Sequence, residues 1–260
     1  MKKTALITGA SSGIGKELAK IHAKNGDNLV IVARRKDALE KLKKELKNAH
    51  GIHVKVIVKD LTKAGATKDL YYEVNQEKIK IDYLINNAGF GGIGEFHQQD
   101  WSQNEAMIQL NIIALTELTR FFLPDFIKRK SGKILNVAST AAFFPGPLQA
   151  VYYATKAYVR SFSLAIAEEV KGSGVTVTTL MPGATQTEFG KRSGMDKTAL
   201  FQKTHSAKEV ANAGYKGMMK GKLSVLAGLS LGQRIMIALT PFFPLSFQLK
   251  TIYKLQKTSE

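Results

Sequence analysis

The chain has 260 residues, 44% hydrophobic and 23% charged, enough to bury a full core as one large α/β domain or two small ones. It has no cysteine, which excludes disulfides, thiolate metal sites and cysteine nucleophiles and fits a reducing cytoplasm. The formal net charge of +17 leaves an anionic partner open, but the lysines are spread along helix-like segments such as 36–47, interleaved with Glu40 and Glu45, as on a solvated helix face.

The first apolar run, Ala5-Leu6-Ile7, is too short for a secretory signal and breaks at Gly9, so it reads as a strand over 5–8. A helix follows, with Ile14, Leu18 and Ile21 on one face and Gly26 as its stop. The next strand spans 29–32, and the next helix aligns Leu39, Leu42 and Leu46 before Gly51. Further apolar runs at 54–58, 83–85, 134–137 and 175–180 predict strands; several are continuous rather than alternating, as in strands buried on both faces. A long helix carries Tyr152 and closes at Lys171-Gly172-Ser173-Gly174. Ser206-Ala207-Lys208-Glu209 has a capping-box pattern that should start a late helix, and 223–227 reads as the last strand. This alternation predicts a doubly wound α/β fold: a parallel sheet flanked by helices on both faces, three layers in all, joined by right-handed crossovers. With no linker, repeat or low-complexity block, one domain spans 1–260. No uncharged run reaches the length of a transmembrane helix; 223–247 comes closest and is interrupted only by Arg234.

The segment Thr8-Gly9-Ala10-Ser11-Ser12-Gly13-Ile14-Gly15 links the first strand to the first helix. Glycine at the strand exit permits a tight turn, Gly13 lets backbone approach a pyrophosphate, and Gly15 lets helix and strand pack closely. Free amides and the positive helix end then receive the anion, with Ser11 and Ser12 at hand. After the second strand, where an NAD site places a carboxylate on the ribose, this chain has Arg34-Arg35. Arg34 can hold a 2′-phosphate by charge-assisted hydrogen bonds, helped by Arg35 and Ser12, so the expected cofactor is NADP(H).

Tyr152 and Lys156 lie four apart at the start of a predicted helix and can point into one site. A nearby ammonium, together with the positively charged nicotinamide of an oxidised cofactor, favours the phenolate, so the expectation is a tyrosine pKa lowered toward neutrality and a phenol able to exchange protons with a substrate oxygen. Taken together, the 8–15 turn, Asn86-Asn87-Ala88-Gly89, Asn111, Ser139, the Tyr152/Lys156 pair and Pro182-Gly183 resemble the short-chain dehydrogenase/reductase family in order and spacing, over roughly residues 4–190. The resemblance implies a Rossmann-type fold and interconversion of a carbonyl and an alcohol by hydride transfer, with the Arg34 position in the NADP(H)-preferring branch. By the same resemblance Tyr152 is the general acid/base, Lys156 binds the nicotinamide ribose and tunes Tyr152, Ser139 polarises the carbonyl, and Asn111 kinks its helix to hold a relay water. Asn87, Ala88 and Gly89 would line the cofactor channel, Asp60 with Leu61 would contact adenine, and Thr185 and Thr187, after Pro182 and Gly183, would reach the carboxamide. Asp60 also suits a helix N-cap, and Tyr153 also lies within reach of Lys156. Homodimers or homotetramers are a family expectation.

The substrate belongs beyond the carboxyl ends of the strands. The loops there carry Phe90, Phe144 and Phe189, with Gln149 as the polar contact, which suits a hydrophobic carbonyl compound. Residues 188–205, with Gly190, Gly194 and few apolar anchors, suit a substrate lid over the 1–190 core. In 223–260 the last strand gives way to an apolar extension in which Pro241 and Pro244 break any helix, followed by Lys250 and Lys254. Three readings stay open for it: an oligomer contact, a cover over the substrate site, or a peripheral membrane contact. His50 and His53 read as surface residues, and no metal is expected. Two other functions compete with the enzyme: a cofactor-bound regulatory protein on the same scaffold, and a nucleic-acid binder. The second is disfavoured because no binding motif or concentrated basic stripe is present, so no nucleic-acid partner is expected.

Overall fold

The computed structural model describes residues 2–257. The chain runs β1 (Thr4–Thr8), α1 (Gly13–Lys24), β2 (Asn28–Ala33), α2 (Lys36–His50), β3 (Val54–Val58), α3 (Ala66–Gln76) and β4 (Tyr83–Asn86). It continues through α4 (Trp101–Ile108), a π-helical stretch (Gln109–Ala114), α5 (Leu115–Lys128), β5 (Gly132–Val137), α6 (Ala150–Glu169) and β6 (Val175–Pro182). The short β7 (Thr185–Gln186), α7 (Glu188–Ser193) and β8 (His205–Ser206) precede α8 (Ala207–Met219), β9 (Ser224–Ala227), α9 (Leu231–Leu239) and α10 (Leu245–Gln256).

Seven strands form one sheet in the order β3-β2-β1-β4-β5-β6-β9, every pairing parallel. Strand order reverses at β1, which pairs β2 on one side and β4 on the other and so opens a crevice beyond their carboxyl ends. The unbroken apolar strands follow from burial on both faces. Ala5, Ile7, Leu29 and Ile31 face Leu18 of α1, Leu39 and Leu42 of α2 and Met218 of α8. Leu6, Val30, Val32 and Leu84 face Leu70 of α3 and Phe122 and Phe126 of α5. The helical run Trp101–Lys128 is long and apolar enough to cross a membrane by length and composition, yet its Leu118, Phe122 and Phe126 are committed to this second core. On the first face a buried pair ties α1 to α8: His22 Nδ1 lies 2.9 Å from the Tyr215 hydroxyl, and burial pushes the imidazole pKa down.

One local expectation needs correction. Pro241 and Pro244 do not prevent helix formation. They fall in the joint between α9 and α10, where a missing amide donor costs little: Pro241 sits in a one-turn 3-10 segment and Pro244 caps α10. The capping pattern at Ser206 starts α8 as expected, with Ser206 Oγ accepting from the Glu209 amide, and a reciprocal capping box at Ser230 and Gln233 opens α9.

Candidate active site

The β1–α1 turn is held by contacts that a larger residue would break. Gly9 has φ +68°, in the left-handed region, and a Cβ there would come within 2.9 Å of the Ala88 Cα. Gly15 sits so close to the Gly9 carbonyl and the Asn87 carboxamide that a methyl group has no room. Thr8 Oγ1 accepts from the amides of Asn87 and Ala88, both at 3.0 Å, and Asn87 Nδ2 donates to the Thr8 carbonyl at 2.9 Å. The glycine turn and the segment after β4 are therefore one rigid unit. Gly9, Ser11, Ser12, Gly13 and Ile14 line the crevice at the N-terminus of α1, where amides suit a pyrophosphate. Gly15 does not line it and serves close packing alone.

A single cleft of about 630 Å³ begins at this turn. Arg34, Arg35, Asp60 and Leu61 form one end; Ala88, Gly89, Pro182, Gly183, Thr185 and Thr187 line the middle; Phe90, Phe144 and Phe189 stand at the other end. Arg34 is exposed. Burial works to raise the Asp60 pKa, but the Thr62 amide and hydroxyl, then Arg34 and Lys63, outweigh it and hold the carboxyl below its usual range. Asp60 caps the turn at Thr62, since α3 starts only at Ala66. Arg35 is already engaged: it donates to Ser11 Oγ at 3.2 Å and pairs with Glu188 at 3.0 Å, and Glu188 pairs in turn with Arg192 at 2.7 Å. This network ties α7 to the phosphate-binding turn and leaves Arg34 as the guanidinium suited to a 2′-phosphate.

In the middle of the cleft α6 presents Tyr152 and Lys156 together, as the four-residue spacing predicts. The Ser139 hydroxyl faces the Tyr152 phenol and accepts from the Ala141 amide at 3.1 Å. Lys156 Nζ donates to the Val137 carbonyl at 3.0 Å and lies 5.8 Å from the Tyr152 ring centre. Burial pushes the phenol up to about 12 against the opposing Ser139 hydrogen bond, and burial pushes the Lys156 ammonium down to about 8. Both groups have left water for an apolar surround, which penalises charge on either. Tyr153 also lines the cleft, but its phenol lies beside the Gln256 carboxamide and is pushed further up by burial.

Two predicted residues stand back from the cleft. Asn111 lies in the π-helical stretch between α4 and α5, a local widening that turns its side chain sideways. Its Oδ1 accepts from the Phe90 amide at 3.2 Å, and its Nδ2 donates to the Phe90 carbonyl at 3.0 Å and to Thr155 Oγ1 at 3.1 Å. Asn111 therefore braces the wall behind Lys156, and a Cβ on Gly89 would meet both residues. Gln149 does not line the cleft. It precedes α6, where its amide bonds back to the Gly146 carbonyl, and its side chain is 1% exposed with no hydrogen-bond partner among the described residues.

The 188–205 segment has more anchors than its sequence suggests. Thr187 caps α7 by accepting from the Phe189 amide, Met195 is buried, and Leu200 and Phe201 reach the cleft. Of the three readings of the C-terminal segment, a cover over the cleft matches the far wall that α9 and α10 supply through Gln233, Met236, Ile237, Ile252 and Leu255, although the sequence did not single out these residues. Their three- and four-residue spacing was the available signal, and the two prolines obscured it.

A family profile described as short chain dehydrogenase matches residues 3–198. The chain belongs to this family. Among its relatives is a short chain dehydrogenase of Pseudocercospora fijiensis, 34% identical over 76% of this chain, which spans 64% of that protein. A very-long-chain 3-oxoacyl-CoA reductase of Anas platyrhynchos is 32% identical over 84% of this chain and 71% of its own length. In three dimensions the chain is similar to a short-chain dehydrogenase from Sphingobium yanoikuyae determined in complex with NADPH, with a TM-score of 0.83 and 34% identity over 92% of this chain and 93% of that one. The family assignment makes the protein an oxidoreductase acting on CH–OH groups and gives the Tyr152–Lys156–Ser139 cluster its chemical context.

Proposed function

We propose that the protein is an NADP(H)-dependent reductase of a hydrophobic ketone or aldehyde, with Tyr152 as its general acid. The observation that carries this reading is the continuity of one cleft from Arg34 and the glycine turn, past Ser139, Tyr152 and Lys156, to an apolar far wall. The residues suit the cofactor: the rim offers Arg34 to a 2′-phosphate, α1 offers free amides to the pyrophosphate, and Gly13, at φ +55°, keeps the backbone beside Thr187 low. When bound, the nicotinamide supplies or accepts the hydride. Ser139 donates a hydrogen bond to the substrate oxygen, and the Tyr152 phenol passes it a proton as negative charge develops there. Lys156 binds the ribose hydroxyls and, as an ammonium, stabilises the phenolate left behind. Asn111, clamped to Phe90, positions the water that reloads Tyr152.

Phe90, Phe144 and Phe189 with the residues of α9 and α10 make the substrate end apolar, and the Anas platyrhynchos relative is named for a ketone on a very long acyl chain. The test is oxidation of NADPH and of NADH across a panel of bulky apolar ketones, small ketones and small charged oxo acids. Bulky apolar ketones with NADPH should give the highest kcat/KM. Higher values for charged acids, or for NADH, overturn the substrate or cofactor assignment respectively.

A further inference from the structure

The two C-terminal helices are apolar on both sides. Inward, Met236, Ile237, Ile252 and Leu255 line the cleft. Outward, Leu231 is 74% exposed, Phe242 82%, Leu245 62% and Phe247 55%, with Ile235 and Leu239 about half exposed. A folded chain rarely leaves a contiguous apolar surface of this kind facing water. Charge distinguishes this surface from an ordinary interface between copies. Between Glu209 and Glu260 the sequence contains no aspartate or glutamate, while Arg234, Lys250, Lys254 and Lys257 stand exposed on or beside the two helices. A self-complementary contact would bring these cations, which pair with no carboxylate among the described residues, together across the symmetry axis, whereas an anionic surface would meet them all.

We propose that α9, the proline turn and α10 form a docking face for an anionic lipid bilayer, and that a lipophilic substrate passes from the bilayer into the cleft between them. Phe242, Leu245 and Phe247 enter the acyl boundary while the lysines of α10 stay at the headgroups. The passage of substrate rests on the hydrophobic-ketone reading above; the docking itself does not.

The test is co-sedimentation of the full chain with vesicles of phosphatidylcholine alone and of phosphatidylcholine with about one-third phosphatidylserine. The protein should pellet with the anionic vesicles, with binding at least about fivefold weaker on neutral vesicles or in high salt. A Phe242→Asp, Phe247→Asp pair and a separate Lys250→Glu, Lys254→Glu pair should each leave the protein in the supernatant while NADPH binding persists, which certifies folding. Equal recovery in the supernatant with and without anionic vesicles overturns the proposal, as does pelleting that the phenylalanine pair leaves unchanged. So does a wild-type dimer that ignores vesicles and becomes monomeric with the same pair, which assigns the face to a second copy. Because pelleting needs no turnover and the ketone panel needs no vesicles, failure of one is read separately from failure of the other.

Discussion

Two glycines show how differently the ends of this chain are built. Around Gly15 a single added methyl group would run into the Gly9 carbonyl and the Asn87 side chain, while around Gly232 in α9 nothing stands within 4 Å. The glycine turn at the cofactor end is braced by sheet, helix and the post-β4 segment, which fix its backbone around the open cleft. The C-terminal helices have one side on the cleft and the other in the open. The first region can place a ligand to a fraction of an ångström; the second can accommodate substrates, or surfaces, of varied shape. Under the proposed function, the rigid half holds the chemistry and the open half selects what reaches it.

Substitutions can break or sharpen that contrast. The largest effect belongs to the rigid half: Tyr152→Phe should lower kcat by about 10³-fold or more with NADPH affinity nearly unchanged, whereas Tyr153→Phe should stay within several-fold of wild type. Comparable losses in steady-state kinetics of both variants would transfer the proton to a different group. Arg34→Ala should raise the KM for NADPH about 10- to 100-fold and leave that for NADH alone, because it deletes an exposed guanidinium that no carboxylate among the described residues pairs with as Glu188 pairs with Arg35. Gly15→Ala should cost about 1–3 kcal/mol in denaturant unfolding, since the Gly9 carbonyl backbone as well as the hydrogen-bonded Asn87 carboxamide blocks the new methyl. The buried lysine gives a pH signature. Its folded pKa of about 8 lies below the ordinary lysine value, so the ammonium is present at neutral pH and lost as pH rises through 8. For reduction by the free enzyme, kcat/KM should accordingly fall above about pH 8, and Lys156→Arg should move that fall upward; a flat profile would show that the charge plays no part. The smallest effect belongs to the open half: Gly232→Ala should stabilise the protein by a few tenths to about 1 kcal/mol in thermal melts. A loss there instead would mean that this face is covered in solution.

Much of the rigid half was legible because its constraints are local. A buried parallel strand needs an unbroken apolar run, a phosphate turn needs glycine at fixed offsets, and two side chains four apart share a helix face; 29–32, Gly9 to Gly15, and Tyr152 with Lys156 carry those signals directly. What misled was anything set by neighbours distant in sequence. Gln149 has the right chemistry for a pocket residue, yet the turn before α6 buries its amide. The tyrosine–lysine spacing puts both groups in one site but carries no information about how far burial removes them from water. Pro241 and Pro244 looked like barriers to helix and proved to be the joint between two of them.

By itself, the amino-acid sequence determined the family, the parallel sheet, the glycine turn with Arg34 beyond it, and the order and spacing of Ser139, Tyr152 and Lys156, because each is encoded over a few residues or in a fixed order along the chain. Only the tertiary structure decided that Asn111 braces the cleft from behind, that Glu188 occupies Arg35, that burial raises the Tyr152 phenol and lowers the Lys156 ammonium, and that α9 and α10 close the far end of the cleft while leaving an apolar face bare. Those outcomes depend on which surfaces exclude water from one another, a quantity that exists only once the layers have packed.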